Sequence, residues 1–232
     1  MMFSYLKILR PSVILLTSFA VLASAIIVGY YQYQVLFAIL VASLIAGAGN
    51  VTNDYFDYEI DKINKPKRVL PSGKISRKNA IIYAAFLYVI ADVLALIFLN
   101  YYMFLFATIS IGIAIIYAWK IKSTPFGHFL DSWLASSTFL FGALLVSINP
   151  TIILLFLMSY LGNFGREVVK GIEDMEGDRK HGARTLAVAT SKVFASSVAM
   201  SFIIFAIIIS FIPYMFHLLS IYYLFLVTFH SR

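Results

Sequence analysis

Eight apolar runs, each of roughly 20 residues, constrain this chain more than any other feature in it. They lie at about 11–29, 34–52, 79–98, 100–119, 129–148, 150–168, 193–212 and 214–229. As helices, runs of that length cross the roughly 30 Å hydrocarbon layer of a bilayer. Charged residues fill only 12% of the 232 positions, against about 25% in globular domains, and 61% are hydrophobic. The chain therefore reads as an integral membrane protein: all-α, a polytopic helical bundle forming a single transmembrane domain over 1–232. The third and fourth runs, and the fifth and sixth, are joined by almost nothing and must form tight helical hairpins. No small-residue cleavage site and soluble domain follow the first run, so it reads as a retained helix and not a removable signal. The absence of cysteine excludes a disulfide framework, a thiolate metal site and a catalytic thiol.

The basic residues fix an orientation. Lys7 and Arg10 precede the first run. Lys62, Lys65, Lys67, Arg68, Lys74, Arg77 and Lys78 sit between the second and third, and Lys120 and Lys122 follow the fourth. Arg166, Lys170, Arg179, Lys180, Arg184 and Lys192 lie at or between the ends of the sixth and seventh, and Arg232 completes the 18. Eight alternating spans put all of them on one side, which the positive-inside rule makes the cytoplasm, together with the N-terminus. Anionic lipid headgroups are the natural partners of basic loops at a cell-membrane surface, so the charge does not argue for nucleic acid.

Nine of the 11 acids form two clusters on that same side: Asp54, Asp57, Glu59 and Asp61, then Glu167, Glu173, Asp174, Glu176 and Asp178. On a helix continuing from the second run, Asn50, Asp54, Asp57 and Asp61 fall at i, i+4, i+7 and i+11 and line one face. Arg166, Lys170, Asp174 and Asp178 likewise recur every four residues. Gly177 and Gly182 are expected to break that second helix, and Thr190-Ser191 to cap the next. Gly47 and Gly49, just before the first stripe, allow close approach of a neighbour or ligand. The segment 63–76 holds two prolines and a glycine, so it cannot be helical throughout and reads as a shaped, basic connection. Two such loops, each after an even-numbered helix, suggest a pseudo-duplicated core.

Carboxylates in stripes repel each other unless a cation sits among them. Hard divalent cations take carboxylate oxygens, and Mg²⁺ commonly uses one or two of them plus substrate phosphates. Two stripes facing each other across a bundle would hold two such ions with a polyphosphate between, and nearby Lys and Arg would bind its remaining oxygens. Charge on a departing diphosphate would be stabilised there, while the bundle offers an apolar crevice for a lipid tail. The implied substrate is a lipid diphosphate with its head at the cytoplasmic surface. The plainer reading is that the charges are solvated and only mark topology. Asp92 stands apart, because a carboxylate at mid-membrane costs roughly 2.5–3.5 kcal/mol on insertion scales. It reads as structural, or as the coupling residue of an ion-coupled transporter, although a transporter would carry polar groups at mid-depth on successive helices. Asp131 and His128, at the start of the fifth run, are further candidates.

Asn53-Asp-Tyr-Phe-Asp-Tyr-Glu-Ile-Asp61 resembles the first aspartate motif of the UbiA superfamily of intramembrane prenyltransferases, and Asp174-Met-Glu-Gly-Asp178 resembles its second. Asn64-Lys-Pro-Lys-Arg-Val-Leu-Pro-Ser-Gly73 resembles the loop after the first motif, and Tyr117 with Lys120 the tyrosine and lysine element after the fourth helix. Together these cover about residues 47–190. The resemblance implies a helical bundle with a central cavity open to the cytoplasmic side, two Mg²⁺ ions, and transfer of a prenyl group from its diphosphate to an acceptor. It also implies nine membrane helices, one more than the eight runs counted. Carried over, Asp54, Asp57 and Asp61 would bind one ion with Asn50 or Asn53 assisting, and Asp174 and Asp178 the other. Arg68, Lys120 and Lys170 would contact diphosphate, with Tyr117 and Arg166 also lining the substrate. Within the family the loops look most like the archaeal ether-lipid branch, which joins geranylgeranyl diphosphate to the free hydroxyl of geranylgeranylglyceryl phosphate. One of Arg68, Lys74 or Lys122 would then bind that lipid-phosphate acceptor. An aromatic or tetrapyrrole acceptor is the alternative within the family.

Overall fold

The computed structural model describes residues 2–180 and 182–223, and these are helical with no strand among them. In order they form α1 (Met2–Ile8), α2 (Pro11–Ile27), α3 (Gln34–Phe56), α4 (Tyr58–Asn64), α5 (Arg77–Phe98) and α6 (Tyr101–Ile116). A π-helical turn, Tyr117–Ile121, leads to α7 (Gly127–Ala143), α8 (Pro150–Glu173), α9 (Met175–Lys180), α10 (Leu186–Ala189), α11 (Lys192–Ser210) and α12 (Ile212–Met215).

Local chemistry sets most of these limits. Pro11 opens α2, where its missing N–H has no intrahelical partner to lose, and Gly29 at φ 73° lies just past its end. The side chains of Ser76, Asn100, Asn149 and Ser191 accept from the backbone N–H groups of Asn79, Met103, Ile152 and Phe194, capping α5, α6, α8 and α11. Only Leu99 and Asn100 join α5 to α6, so this pair is the tight hairpin expected.

Five helices among the described residues are long and apolar enough to cross a membrane: α3, α5, α6 with its π turn, α8, and α11 running on through α12. With its multiple apolar helices the chain is a multi-pass membrane protein. The runs at 11–29 and 129–148 fold as the 17-residue helices α2 and α7, near the lower limit of roughly 17 residues for a span. The last six residues of the eighth run, 224–229, lie outside the described residues. The chain turns a few residues beyond Pro213, which separates the seventh and eighth runs. Pro213 sits in the first turn of α12, and the break comes at His217, φ 54°, where Leu218 and Leu219 donate N–H groups back to the Pro213 carbonyl.

The chain divides into two compact units. One comprises the described residues of 1–122 and 141–147. In it α3 packs on α2 and α5 through small side chains, with Ala38, Ala42, Ala48, Ala84, Ala91 and Ala95 all buried. Small residues suit lipid, where helices associate by close packing and not by escape from water. Gly142 takes this furthest, since a Cβ there would stand 2.6 Å from the Val21 carbonyl oxygen. Asp92 accepts a hydrogen bond from Thr108 Oγ1 at 2.7 Å, tying α5 to α6. The other unit comprises the described residues of 123–140 and 148–223, built on α8 against α11 around Phe164, Val168, Ala195 and Ala199.

Each acidic stripe bends at an aspartate and is not one unbroken helix. Asp57 (φ −78°, ψ 0°) links α3 to α4, and Asp174 (φ −86°, ψ 0°) links α8 to α9. The i to i−4 ladder survives both joints, with Asp57 N–H on the Asn53 carbonyl at 2.9 Å and Asp174 N–H on that of Lys170 at 3.0 Å. Gly177, expected as a breaker, lies inside α9; Gly182, at φ 73°, does end that segment.

Gly142→Ala drives a methyl into a backbone oxygen that cannot yield, so thermal unfolding in detergent should show a loss of about 1–3 kcal/mol. Gly112→Ala, where a Cβ meets nothing within 4 Å, should be neutral or mildly stabilising.

Candidate active site

The first aspartate motif is assembled from four segments of one unit. Asp54 and Asp61 are 4% and 3% exposed. Two charges so placed need partners, because desolvation of an unpaired ion costs several kcal/mol. Arg10 Nη2 lies 2.6 Å from Asp54 Oδ1. Arg68 Nη1 bridges Asp61 at 2.6 Å and Asp54 at 3.4 Å, and Lys122 pairs with Asp57. Three carboxylates thus meet three cations.

The backbone explains how each cation arrives. Arg10 adopts the left-handed conformation, φ 56° and ψ 79°, at the joint of α1 and α2. Such a residue costs on the order of 1–3 kcal/mol and persists only when its surroundings hold it. Here Asn50 Nδ2 donates to the preceding Leu9 carbonyl at 3.0 Å while Asp54 holds the guanidinium. Gly47 leaves room for the same joint, since a Cβ there would stand 3.1 Å from Leu9 Cδ2. Arg68 belongs to the connection at 65–76, which is anchored because its neighbours Val69 and Leu70 and the later Ile75 are buried in the core. Lys122 is aimed by the π turn. Its N–H bonds to the Tyr117 carbonyl at 2.9 Å, five residues back, so a wider turn carries Lys122 onto Asp57. Tyr117 is buried, and exposed Lys120 lies over the Trp119 ring at 4.1 Å. Lys74 is exposed beside Gly73.

The second motif lies in the other unit. Asp174 is exposed at its joint, and Asp178 accepts from Thr185 Oγ1 at 3.1 Å. Arg166 and Lys170, both exposed, reach Glu167 at 3.3 and 3.1 Å. His128 packs edge-on to Phe164.

The donor set suits a hard cation. Asn53 Oδ1 is buried on the first stripe without a hydrogen-bond partner, a carbonyl oxygen of the kind that Mg²⁺ or Ca²⁺ takes. It lies next in sequence to Asp54, whose carboxylate is held by Arg10 and Arg68. Among the described residues no three His, Asp or Glu side chains converge into a ready cage. Sequence reasoning placed Asp54, Asp57, Asp61, Arg68 and Lys122 as candidates, and the structure brings these five together. It missed Arg10, whose one signal was its place directly before Pro11. Asn50 serves the Leu9 carbonyl with its amide nitrogen.

A helical membrane protein with two acidic joints, one of them ringed by basic side chains, is the class that fold and site define. Residues 12–231 match the model of the UbiA prenyltransferase family, and the chain belongs to that family of prenyl-transferring enzymes. It is 39% identical over 214 residues to the digeranylgeranylglyceryl phosphate synthase of Thermococcus kodakarensis, covering 90% of this chain and 77% of the relative. To the enzyme of the same name from Methanothermobacter thermautotrophicus it is 37% identical over 203 residues, 87% and 72% of the two chains. A solved structure of digeranylgeranylglyceryl phosphate synthase superposes with a TM-score of 0.80 at 36% identity, covering 98% of this chain and 82% of the other. The fold is also that of a UbiA homologue from Archaeoglobus fulgidus solved with GPP and Mg²⁺, at a TM-score of 0.74 and 19% identity over 94% and 79% of the chains.

Arg68→Ala removes the one cation shared by Asp54 and Asp61. Breaking a fully buried pair costs about 3–5 kcal/mol. With the Arg68 side chain 28% exposed, a loss of about 2 kcal/mol is expected in metal-free thermal unfolding. A Lys65→Ala control, at an exposed position, should lose less than about 0.5 kcal/mol. Equal losses would show that the pairing does not hold the loop.

Proposed function

We propose that this prenyltransferase moves a geranylgeranyl group from geranylgeranyl diphosphate to the free hydroxyl of geranylgeranylglyceryl phosphate, with two Mg²⁺ ions, at the cytoplasmic face of the cell membrane. In this reading 1–232 works as one prenyltransferase domain. The observation that carries it is the identity of 37–39%, over about nine-tenths of the chain, to enzymes named for the product of that reaction. The basic loops agree with it, since a lipid-phosphate acceptor brings an anion of its own that an aromatic acceptor need not.

On this reading Asp54, Asp57 and Asp61, with the Asn53 carbonyl oxygen, hold one ion, and Asp174 and Asp178 the other. Bound Mg²⁺ supplies Lewis-acid stabilisation of the departing diphosphate. Arg10, Arg68 and Lys122 offset the repulsion among the first three carboxylates, and each keeps N–H donors to offer phosphate oxygens. Lys120, Arg166 and Lys170, exposed on helix ends, are the remaining diphosphate contacts. Lys74, exposed beside the left-handed Gly73, is the residue assigned to the acceptor phosphate. Tyr117, buried in the π turn, is the remaining candidate for substrate contact.

The test is turnover of labelled geranylgeranyl diphosphate by the purified protein in detergent, offered geranylgeranylglyceryl phosphate, 4-hydroxybenzoate or a naphthoate separately. An ether product that is abolished by chelating Mg²⁺ and falls about 10²-fold or more in Asp54→Ala and Asp174→Ala is expected. Product with an aromatic acid alone would keep the chemistry and replace the acceptor. Alanine variants that turn over like the parent would reduce the acidic stripes to markers of topology.

A further inference from the structure

The two aspartate motifs share one register. In each, a joint aspartate is followed four residues later by another: Asp57 by Asp61, and Asp174 by Asp178. Three residues before the joint the first motif has Asp54, the most heavily paired carboxylate of its cluster. At the same register the second motif has Gly171, which offers no side chain at all. The space is taken instead by His128: a Cβ on Gly171 would stand 2.9 Å from its Cε1 and 3.2 Å from its Nε2.

His128 is 9% exposed, and its Nε2 is buried without a hydrogen-bond partner. Leaving such a group unpaired costs about 1–3 kcal/mol, a cost that calls for an explanation at a functional site. Glu167 lies one turn before Gly171 on the same face of α8, the face on which His128 packs. The Glu167 carboxylate is itself 12% exposed, and its donors are the exposed side chains of Arg166 and Lys170. Both are free to leave for a better anion. If they leave, Glu167 becomes a largely buried carboxylate without a donor, one helical turn from the glycine on which the unpaired His128 Nε2 packs.

We propose that His128 is a positioning residue of the second aspartate motif: its imidazole fills the register position vacated by Gly171, and its Nε2–H becomes the donor to Glu167 when a diphosphate draws Arg166 and Lys170 away. The inference rests on the diphosphate reading of the site and not on the identity of the acceptor. With Arg166 and Lys170 in place, Glu167 is satisfied by cations and His128 waits. In the loaded state the pair holds the end of α8, and with it Asp174, in place. An outer partner of this kind is worth roughly 10–100-fold in affinity.

The experiment is binding of geranylgeranyl diphosphate in saturating Mg²⁺ with no acceptor, followed by thermal shift of the detergent-purified protein. His128→Leu and Glu167→Gln should each raise the half-saturating concentration about tenfold, while His128→Gln, which keeps an amide N–H at the Nε2 position, should stay within about threefold of the parent. The double variant His128→Leu/Glu167→Gln should bind about as weakly as either single one, because the two act as a unit. Without ligand, His128→Leu should melt no lower than the parent, since it removes an unpaired buried nitrogen. Binding by His128→Leu within threefold of the parent, or single effects that multiply in the double variant, overturns the proposal. Should His128→Leu fail to fold, Glu167→Gln decides: parental affinity in that variant overturns the proposal as well. A parent that shows no Mg²⁺-dependent binding of the diphosphate refutes the diphosphate reading itself, a separate outcome.

Discussion

Charge cancellation inside an apolar unit is the constraint on which the first motif depends. Asp54 and Asp61 are too deeply buried to be left to water, and with Asp57 they repel one another. Their cations come from segments far apart in the chain: Arg10 before α2, Arg68 in the connection after α4, and Lys122 after the π turn. The ion pairs therefore also act as tertiary clamps. The odd backbone features of this unit sit where those clamps need them: the left-handed Arg10, the anchored loop at 65–76, and the π turn.

The helix joints are the second shared device. An unbroken helix through 50–61 would point Asp54, Asp57 and Asp61 along one stripe at fixed spacing. The turn-like ψ of 0° at Asp57 re-aims α4 while keeping the i to i−4 hydrogen bonds, so no backbone group is orphaned. The same solution recurs at Asp174 in the other unit, at the same place relative to the next aspartate. The two halves thus share local geometry where their overt sequence similarity is weak. What differs is the third position, a carboxylate in one and an imidazole borrowed from α7 in the other.

Much of this was legible in the sequence. The apolar runs declared the helices, and the spacing of Asp54, Asp57 and Asp61 declared a common face, because both depend only on local periodicity. Capping by Ser191 and initiation by Pro11 were equally local. Features fixed by tertiary contacts could not be read. The π turn sets Lys122 on Asp57, and nothing in Tyr-Ala-Trp-Lys-Ile-Lys signals an extra residue per turn. Arg10 reads as one more basic residue at a membrane surface until Asn50 is seen holding Leu9. Gly177 reads as a breaker on propensity alone, whereas the bend falls at Asp174, where a non-glycine conformation suffices. The gap between the seventh and eighth apolar runs falls at Pro213, yet a proline in the first turn of a helix costs nothing.

The metal-free pairing also bears on the order of events in the proposed reaction. A lone Mg²⁺ arriving at the first motif would compete with Arg10, Arg68 and Lys122 for the same oxygens and push three cations toward one another with no anion to receive them. A diphosphate arriving alone would meet three carboxylates. On the proposed reading, Asp54, Asp57 and Asp61 would give carboxylate oxygens to an ion only as Arg10, Arg68 and Lys122 turned to the phosphates, so that every charge would keep a partner in low dielectric. These ion pairs would therefore favour joint binding of ion and substrate over binding of either one first.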